Sequence, residues 1–357
     1  MTRIILVTGS GGVGKTTVAA ATGLAASRRG TRTLVLSFDQ SRGLRDVLGP
    51  DAHLDIQTLD VHAELARGWN EGRGDIATLL GGGLEGVTAD EVALAPGLDE
   101  LLALLLLEEH VRSGRYALII VDGPSLGAAL RFVSGPASLS WFVRRWAGPE
   151  RSVRWARGNV EALARVRDRL SALEVLLRDP EVTTLRLVTA PRAGAVEEVR
   201  RAYSAFCLQG LCVDGLVVNH LGAAPAEGLA RALQAQVEPL QVVEVPRQSA
   251  EVVGPDALMA FARLLHADED STGARVTSPA LGIRKDAVDV YCLEIHLPFT
   301  TRDEINLSRR ETELVIQVGD FRRNVLLPRM IASLATTGAR LEGNRLTVSF
   351  QHERRDT

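Results

Sequence analysis

Lysine is nearly missing from this chain: of 41 lysines and arginines, all but Lys15 and Lys285 are arginine. In a chain that otherwise uses arginine, the lysine at position 15 marks a place that a planar guanidinium fits poorly. Cysteine is also scarce. Cys207, Cys212 and Cys292 make no disulfide framework, which predicts a reduced, cytoplasmic protein. A formal charge of −3 lacks the basic excess of a nucleic-acid surface, so no nucleic-acid partner is expected. No run approaches the roughly 18 apolar residues of a membrane span. The longest, residues 101–107, reads as the buried side of a helix, and no stable membrane insertion is expected. Met1-Thr2-Arg3 passes directly into Ile4-Ile5-Leu6-Val7, which predicts a chain without a signal peptide.

What is present is a large apolar inventory, 46% of 357 residues, enough for two or three domains. Over residues 1–265, short apolar runs alternate with helical stretches. The runs are 4–8, 33–38, 117–121, 185–189, 215–218 and 241–245; helical segments include 16–29, 99–112, 196–206 and 250–265. Apolar runs without polar alternation fit strands covered on both faces, so the order predicts an α/β fold with a doubly wound, mostly parallel sheet. Helical subdomain elements are expected at about 60–112 and 139–180. All four tryptophans, Trp69, Trp141, Trp146 and Trp155, fall outside the expected strands. The helices at 139–180 either cover the sheet or offer an apolar surface to a partner. Residues 266–287 are polar and read as a linker. Beyond it, alternating runs at 288–297, 304–307, 313–318, 324–327 and 345–350 predict a small all-β domain at 288–351.

Residues 9–16, Gly-Ser-Gly-Gly-Val-Gly-Lys-Thr, follow a strand and open a helix. In such a loop, Gly11, Gly12, Val13 and Gly14 turn backbone N–H groups around a phosphate, and the helix aims its positive end at the anion. Lys15 reaches the β- and γ-phosphates, and the Thr16 hydroxyl ligates magnesium. Thr17 adds a bond to the α-phosphate. Magnesium also needs a carboxylate at the end of a neighbouring strand. Asp122, after Ala-Leu-Ile-Ile-Val, suits that place, acting through a water; its other reading is a helix N-cap. Asp39, after Leu36-Ser37-Phe38, is placed to orient the attacking water, or is a turn residue. A nucleoside triphosphate and magnesium are therefore the expected ligands, with Lys15 and Asp39 as catalytic candidates; the resemblance described next makes the nucleotide ATP.

These residues resemble the arsenical pump-driving and tail-anchored-protein-targeting ATPases. The resemblance runs in order through Gly9–Thr17, Leu36–Asp39, Pro96-Gly97-Leu98-Asp99-Glu100, Val121-Asp122 with Gly127 and Leu130-Arg131, Val196–Arg201, Val217-Val218-Asn219, and Val245-Pro246 with Glu251–Gly254. It implies a fold of the P-loop NTPase type, with Asn219 and Pro246 at the adenine. It further implies a homodimer that hydrolyses ATP and couples nucleotide state to a hydrophobic client. A second resemblance covers the C-terminal part. Leu297-Pro298-Phe299, Glu313–Ile316, Phe321-Arg322-Arg323, Leu326-Leu327-Pro328 and Leu346-Thr347-Val348 look like the α-crystallin-type domain of small heat-shock proteins.

The departures carry their own expectations. The family's loop has a lysine that reaches the partner's nucleotide; here Ser10 stands in its place. Charge stabilisation across a dimer is worth orders of magnitude, so slow hydrolysis is expected. Arg42 and Arg131 remain as candidate cations near the phosphates. Without Cys-x-x-Cys, the zinc of the targeting members is not expected. With only Met1, Met259 and Met330, a methionine-lined client groove is not expected either. Three readings stay open: an ATP-dependent chaperone or targeting factor, a nucleotide switch without a client, and a weakly active subunit that pairs with an active paralogue.

Overall fold

The structure, a computed structural model, describes residues 2–38, 43–70, 97–146, 160–219, 234–238, 240–266, 279–287 and 290–352. In chain order the elements are β1 (Arg3–Gly9), α1 (Lys15–Arg28), β2 (Thr33–Ser37), α2 (Gly43–Leu48), β3 (Asp55–Thr58), α3 (Val61–Asn70), α4 (Leu98–Ser113), β4 (Leu118–Asp122), α5 (Leu126–Trp146), α6 (Val160–Arg178), β5 (Thr183–Thr189), α7 (Ala195–Leu208), β6 (Val213–Asn219), β7 (Val242–Val245) and α8 (Pro255–His266). The C-terminal part adds β8 (Leu281–Ala287), β9 (Val290–His296), a 3-10 turn (Arg302–Glu304), β10 (Ile305–Arg310), β11 (Glu313–Val318), β12 (Phe321–Leu326), α9 (Arg329–Ala332), β13 (Ala335–Glu342) and β14 (Arg345–Gln351).

The apolar runs of the first part form a seven-stranded parallel sheet in the order β3-β2-β4-β1-β5-β6-β7. Its strand β3 was not among the expected ones, because Asp-Ile-Gln-Thr is too short and polar to stand out. Two compact units divide the chain: Met1–Leu177 with Val245–Gly273, and Arg178–Glu244 with Ala274–Thr357.

In the first unit, β1, β2 and β4 are buried along their length. Helix α1 is alanine-rich and buried from Val18 to Ala26, and such small side chains permit a close approach to the strands. Gly23 shows how close: a Cβ there would lie 2.5 Å from the Val35 Cγ2. The Thr22 hydroxyl donates to the Val18 carbonyl at 2.7 Å and lies 3.1 Å from the His266 ring on α8. Helices α4 and α6 are joined by an ion pair in which the Arg169 Nε is 2.8 Å from Glu108. Of the tryptophans, Trp155 lies outside the described residues, as do the side chains of Trp69, Trp141 and Trp146.

In the second unit, β5 and β6 pair in parallel, and a buried cluster crosses them. Asp214 accepts from the Thr184 hydroxyl at 2.6 Å and from the Arg186 guanidinium at 3.0 and 3.2 Å. The C-terminal strands form two antiparallel sheets, β10-β11-β12 and β13-β14-β9-β8. Strand β8 lies in the stretch that the sequence reads as a linker, while residues 267–278 of that stretch lie outside the described ones. Its Arg284, Lys285 and Asp286 mask the strand, whose pairing with β9 supplies the order. Leu293, Ile295, Leu314, Ile316, Val348 and Phe350 fill the space between the two sheets.

Helix α7 belongs to this same core. Leu208, its last residue, packs with the sandwich residues. The Arg323 guanidinium of β12 donates to the Leu208 carbonyl at 2.6 Å, satisfying one of the acceptors that a helix end leaves open. The Arg200 guanidinium sits 4.8 Å from the Phe299 ring centre, and the Ser204 hydroxyl donates to the Pro298 carbonyl. Residues 200, 204 and 208 recur at helical spacing, so one face of α7 carries the contact.

Candidate nucleotide and magnesium site

β1 ends at Gly9 and α1 starts at Lys15, with the loop between them shaped by glycine. Gly12 and Gly14 have φ of 72° and 89°, a left-handed backbone that a side chain would strain. A Cβ at Gly11 or Gly12 would meet nothing within 4 Å, so the loop borders open space. Val13 is buried and anchors it, whereas Lys15, Thr16 and Thr17 are half-exposed in the first turn. No side chain caps this helix start. The Lys15 ammonium donates to the Ser10 carbonyl at 2.9 Å, which folds the lysine back over the loop. Ser10 thus contributes its backbone to the cradle.

Asp122 is the last residue of β4 and is only 3% exposed. Parallel pairing sets it beside Val7 of β1 and Ser37 of β2. The Ser37 hydroxyl donates to Asp122 Oδ2 at 3.3 Å. The next residue is fixed as well. The Gly123 N–H donates to the Val7 carbonyl at 2.9 Å, and a Cβ on Gly123 would lie 2.6 Å from that oxygen. The Thr8 hydroxyl donates to the Pro124 carbonyl at 2.8 Å. The segment after β4 is therefore pinned to the strand that feeds the loop.

Asp39 and Arg42 lie outside the described residues. Phe38, just before Asp39, packs against the buried Phe132 of α5 in a tilted arrangement, with ring centres 5.0 Å apart. Arg131, a candidate cation for the phosphates, pairs with Glu100 at the start of α4, with 3.2 Å between Nε and Oε1. Glu100 also shares a hydrogen bond with Asp99, which raises the Glu100 pKa and lowers that of Asp99. Asn219 closes β6 and is buried; Pro246 follows β7 and is exposed, its carbonyl accepting from the Gln248 amide at 2.6 Å. The cysteines are all buried, and burial raises the Cys207 thiol well above its ordinary pKa.

The donor chemistry suits a small hard cation. A threonine hydroxyl on the first helical turn and a buried carboxylate at a strand end are both oxygen donors, the kind that magnesium takes. Ser37, Thr8 and Gly123 escaped sequence reasoning because each acts through strand register, although Ser37 stands only two positions before Asp39.

A family profile described as anion-transporting ATPase matches residues 2–267. The chain belongs to this ArsA ATPase family. A second profile, the HSP20-like domain found in ArsA, matches residues 288–350. Among relatives of this ATPase, "Putative arsenical pump-driving ATPase 1" of Aquifex aeolicus is 29% identical over 396 residues, covering 97% of this chain and 99% of the relative. A similarly named protein of Chlorobaculum tepidum is 29% identical over 392 residues, covering 99% and 96%. An uncharacterized protein of Streptomyces coelicolor is 32% identical over 392 residues, covering 98% and 97%. These matches run along nearly the full length of both chains, through the residues that each profile covers in this one.

Proposed function

We propose that this ArsA-family protein is a magnesium-dependent, slowly hydrolysing ATPase that works as a cytoplasmic homodimer and handles hydrophobic client proteins. The observation that carries the nucleotide part is the set of groups around the loop: Lys15 over the Ser10 carbonyl, and Asp122 buried beside Ser37. Gly11, Gly12, Val13 and Gly14 wrap the phosphates, Lys15 neutralises the β,γ oxygens, and Thr17 contacts the α-phosphate. Thr16 and, through water, Asp122 hold the magnesium, which when bound neutralises charge on the phosphates. Asp39 orients the attacking water, and Asn219 and Pro246 contact the adenine. Client handling is supported by the fused HSP20-like domain, whose sandwich shares a core with α7.

Arsenical pump driving, the role in the relatives' names, draws less support from this chain, because each of its cysteines is buried. A second reading rests on Ser10. With no lysine at that position, the chain could pair with an active paralogue that supplies the cation. Four measurements on the full chain decide. Magnesium-dependent binding of a fluorescent ATP analogue is expected, and its absence overturns the nucleotide reading. Turnover at saturating ATP is expected below about 1 s⁻¹, the low end of ordinary enzymes. Solution mass should double with ATP, and a monomer with ATP favours the paralogue. Suppressed aggregation of an unfolded apolar protein is expected; if ATP and ADP forms both fail to suppress it, client handling is wrong.

A further inference from the structure

We infer that Ser37 is a positioning residue for magnesium: its hydroxyl holds the Asp122 carboxylate in the orientation that takes part in binding the cation. The inference rests on the magnesium reading above and adds a residue to it.

Ser37 ends β2 as Asp122 ends β4, and the two are direct neighbours across the parallel pair. Neighbours in register project on the same face of a sheet. Both are buried, Ser37 at 1% and Asp122 at 3% exposure. A serine hydroxyl can donate and accept, whereas an ionised carboxylate only accepts, so the 3.3 Å contact runs from Ser37 Oγ to Asp122 Oδ2. On the opposite side, the neighbour in register is Val7, whose side chain offers no donor. That strand holds the backbone instead, through the Gly123 N–H on the Val7 carbonyl. The backbone at Asp122 is thus fixed from β1, and its carboxylate is held from β2.

Groups that orient a cation's carboxylate commonly change metal affinity when removed. A serine that merely filled a buried strand end would stabilise the fold and leave the magnesium dependence unchanged. The two roles separate in one experiment on the full chain. A fluorescent ATP analogue is titrated into wild type, Ser37→Ala, Ser37→Thr and Ser37→Val, once in EDTA and once across a magnesium series. Ser37→Ala should raise the magnesium concentration for half-maximal binding about tenfold, while affinity in EDTA stays within about twofold of wild type. Ser37→Thr keeps the hydroxyl and should restore the wild-type midpoint. Ser37→Val has the shape of threonine without the hydroxyl and should behave as Ser37→Ala. The threonine–valine pair isolates the hydroxyl if alanine lowers the unfolding temperature. An unchanged midpoint in Ser37→Ala and Ser37→Val, or an equal loss in EDTA, overturns the positioning role alone. A wild type with no magnesium-dependent binding overturns the magnesium reading, and this inference with it.

Discussion

The two compact units use buried polar groups differently. In the first, Glu108 and Thr22 join helices through Arg169 and His266, but a separate set sits at or next to strand ends beside the glycine loop: Thr8 of β1, Asp122 of β4 and Ser37 of β2. In the second, they join elements: Arg186 and Thr184 to Asp214 across β5 and β6, and Arg323 to the end of α7. The contrast follows from what burial costs. A buried charge must be paired or hydrogen-bonded, so removing one partner inside the fold is costly, whereas a group at a strand end beside the loop stands where a ligand would bind. The first unit should therefore respond to substitution through nucleotide binding, and the second through stability.

Lys15→Ala should sharpen the contrast most. Turnover is expected to fall by at least about a hundredfold, the scale of one lost charge contact in phosphoryl transfer. Because Lys15 is half-exposed, the urea midpoint should barely move. Phosphate release and urea unfolding check both halves. Ser10→Lys tests the same loop in the opposite direction. If the protein forms a homodimer, turnover should rise by about tenfold or more; no rise in a chain that dimerises with ATP counts against slow hydrolysis caused by Ser10.

Asp214→Ala tests the second unit. It leaves Arg186 buried without this carboxylate, for which about 3–5 kcal/mol of stability is the expected loss. Arg186→Met combined with Asp214→Leu should recover most of it, as urea denaturation of the three variants would show. Should Asp214→Ala instead weaken ATP-analogue binding while stability holds, the division of labour between units breaks down. Gly123→Ala probes the first unit's backbone. A Cβ 2.6 Å from a main-chain oxygen forces a shift, so about 1–3 kcal/mol should be lost together with magnesium-dependent binding.

The smallest effect concerns pH. His296, on β9, lies 3.4 Å from the Tyr203 hydroxyl of α7, and burial lowers its pKa below the ordinary 6.5, with Arg345 adding to the shift. The unfolded chain then binds the proton more readily, so stability is complete above the unfolded value and declines as pH falls through it towards the folded value. Thermal unfolding between pH 7.5 and 5 should show this decline, and His296→Gln should flatten it. An unchanged slope in that variant removes His296 as the cause.

Much of the fold was legible because its signals are local. Apolar runs marked β1, β2 and β4 through β7, and glycine spacing marked the loop. Other features needed contacts distant in sequence. β8 carries Arg-Lys-Asp and reads as linker, yet it pairs along β9. The helical spacing of Arg200, Ser204 and Leu208 can be read from the chain, but nothing local says that a β-sandwich covers that face. That Arg131, a candidate cation for the phosphates, also pairs with Glu100, 31 positions earlier, is visible only in the fold.

By itself, the amino-acid sequence determined the phosphate loop, because glycine conformations, the helix start and the Lys15-Thr16 pair all follow from adjacent residues. It also identified Asp122 as a strand-end carboxylate. Only the tertiary structure decided what surrounds that carboxylate. Strand order and register bring Ser37, from 85 positions away, to its Oδ2, and they close the space that a Cβ on Gly123 would need. The physical reason is that strand pairing converts distance along the chain into neighbourhood across a sheet.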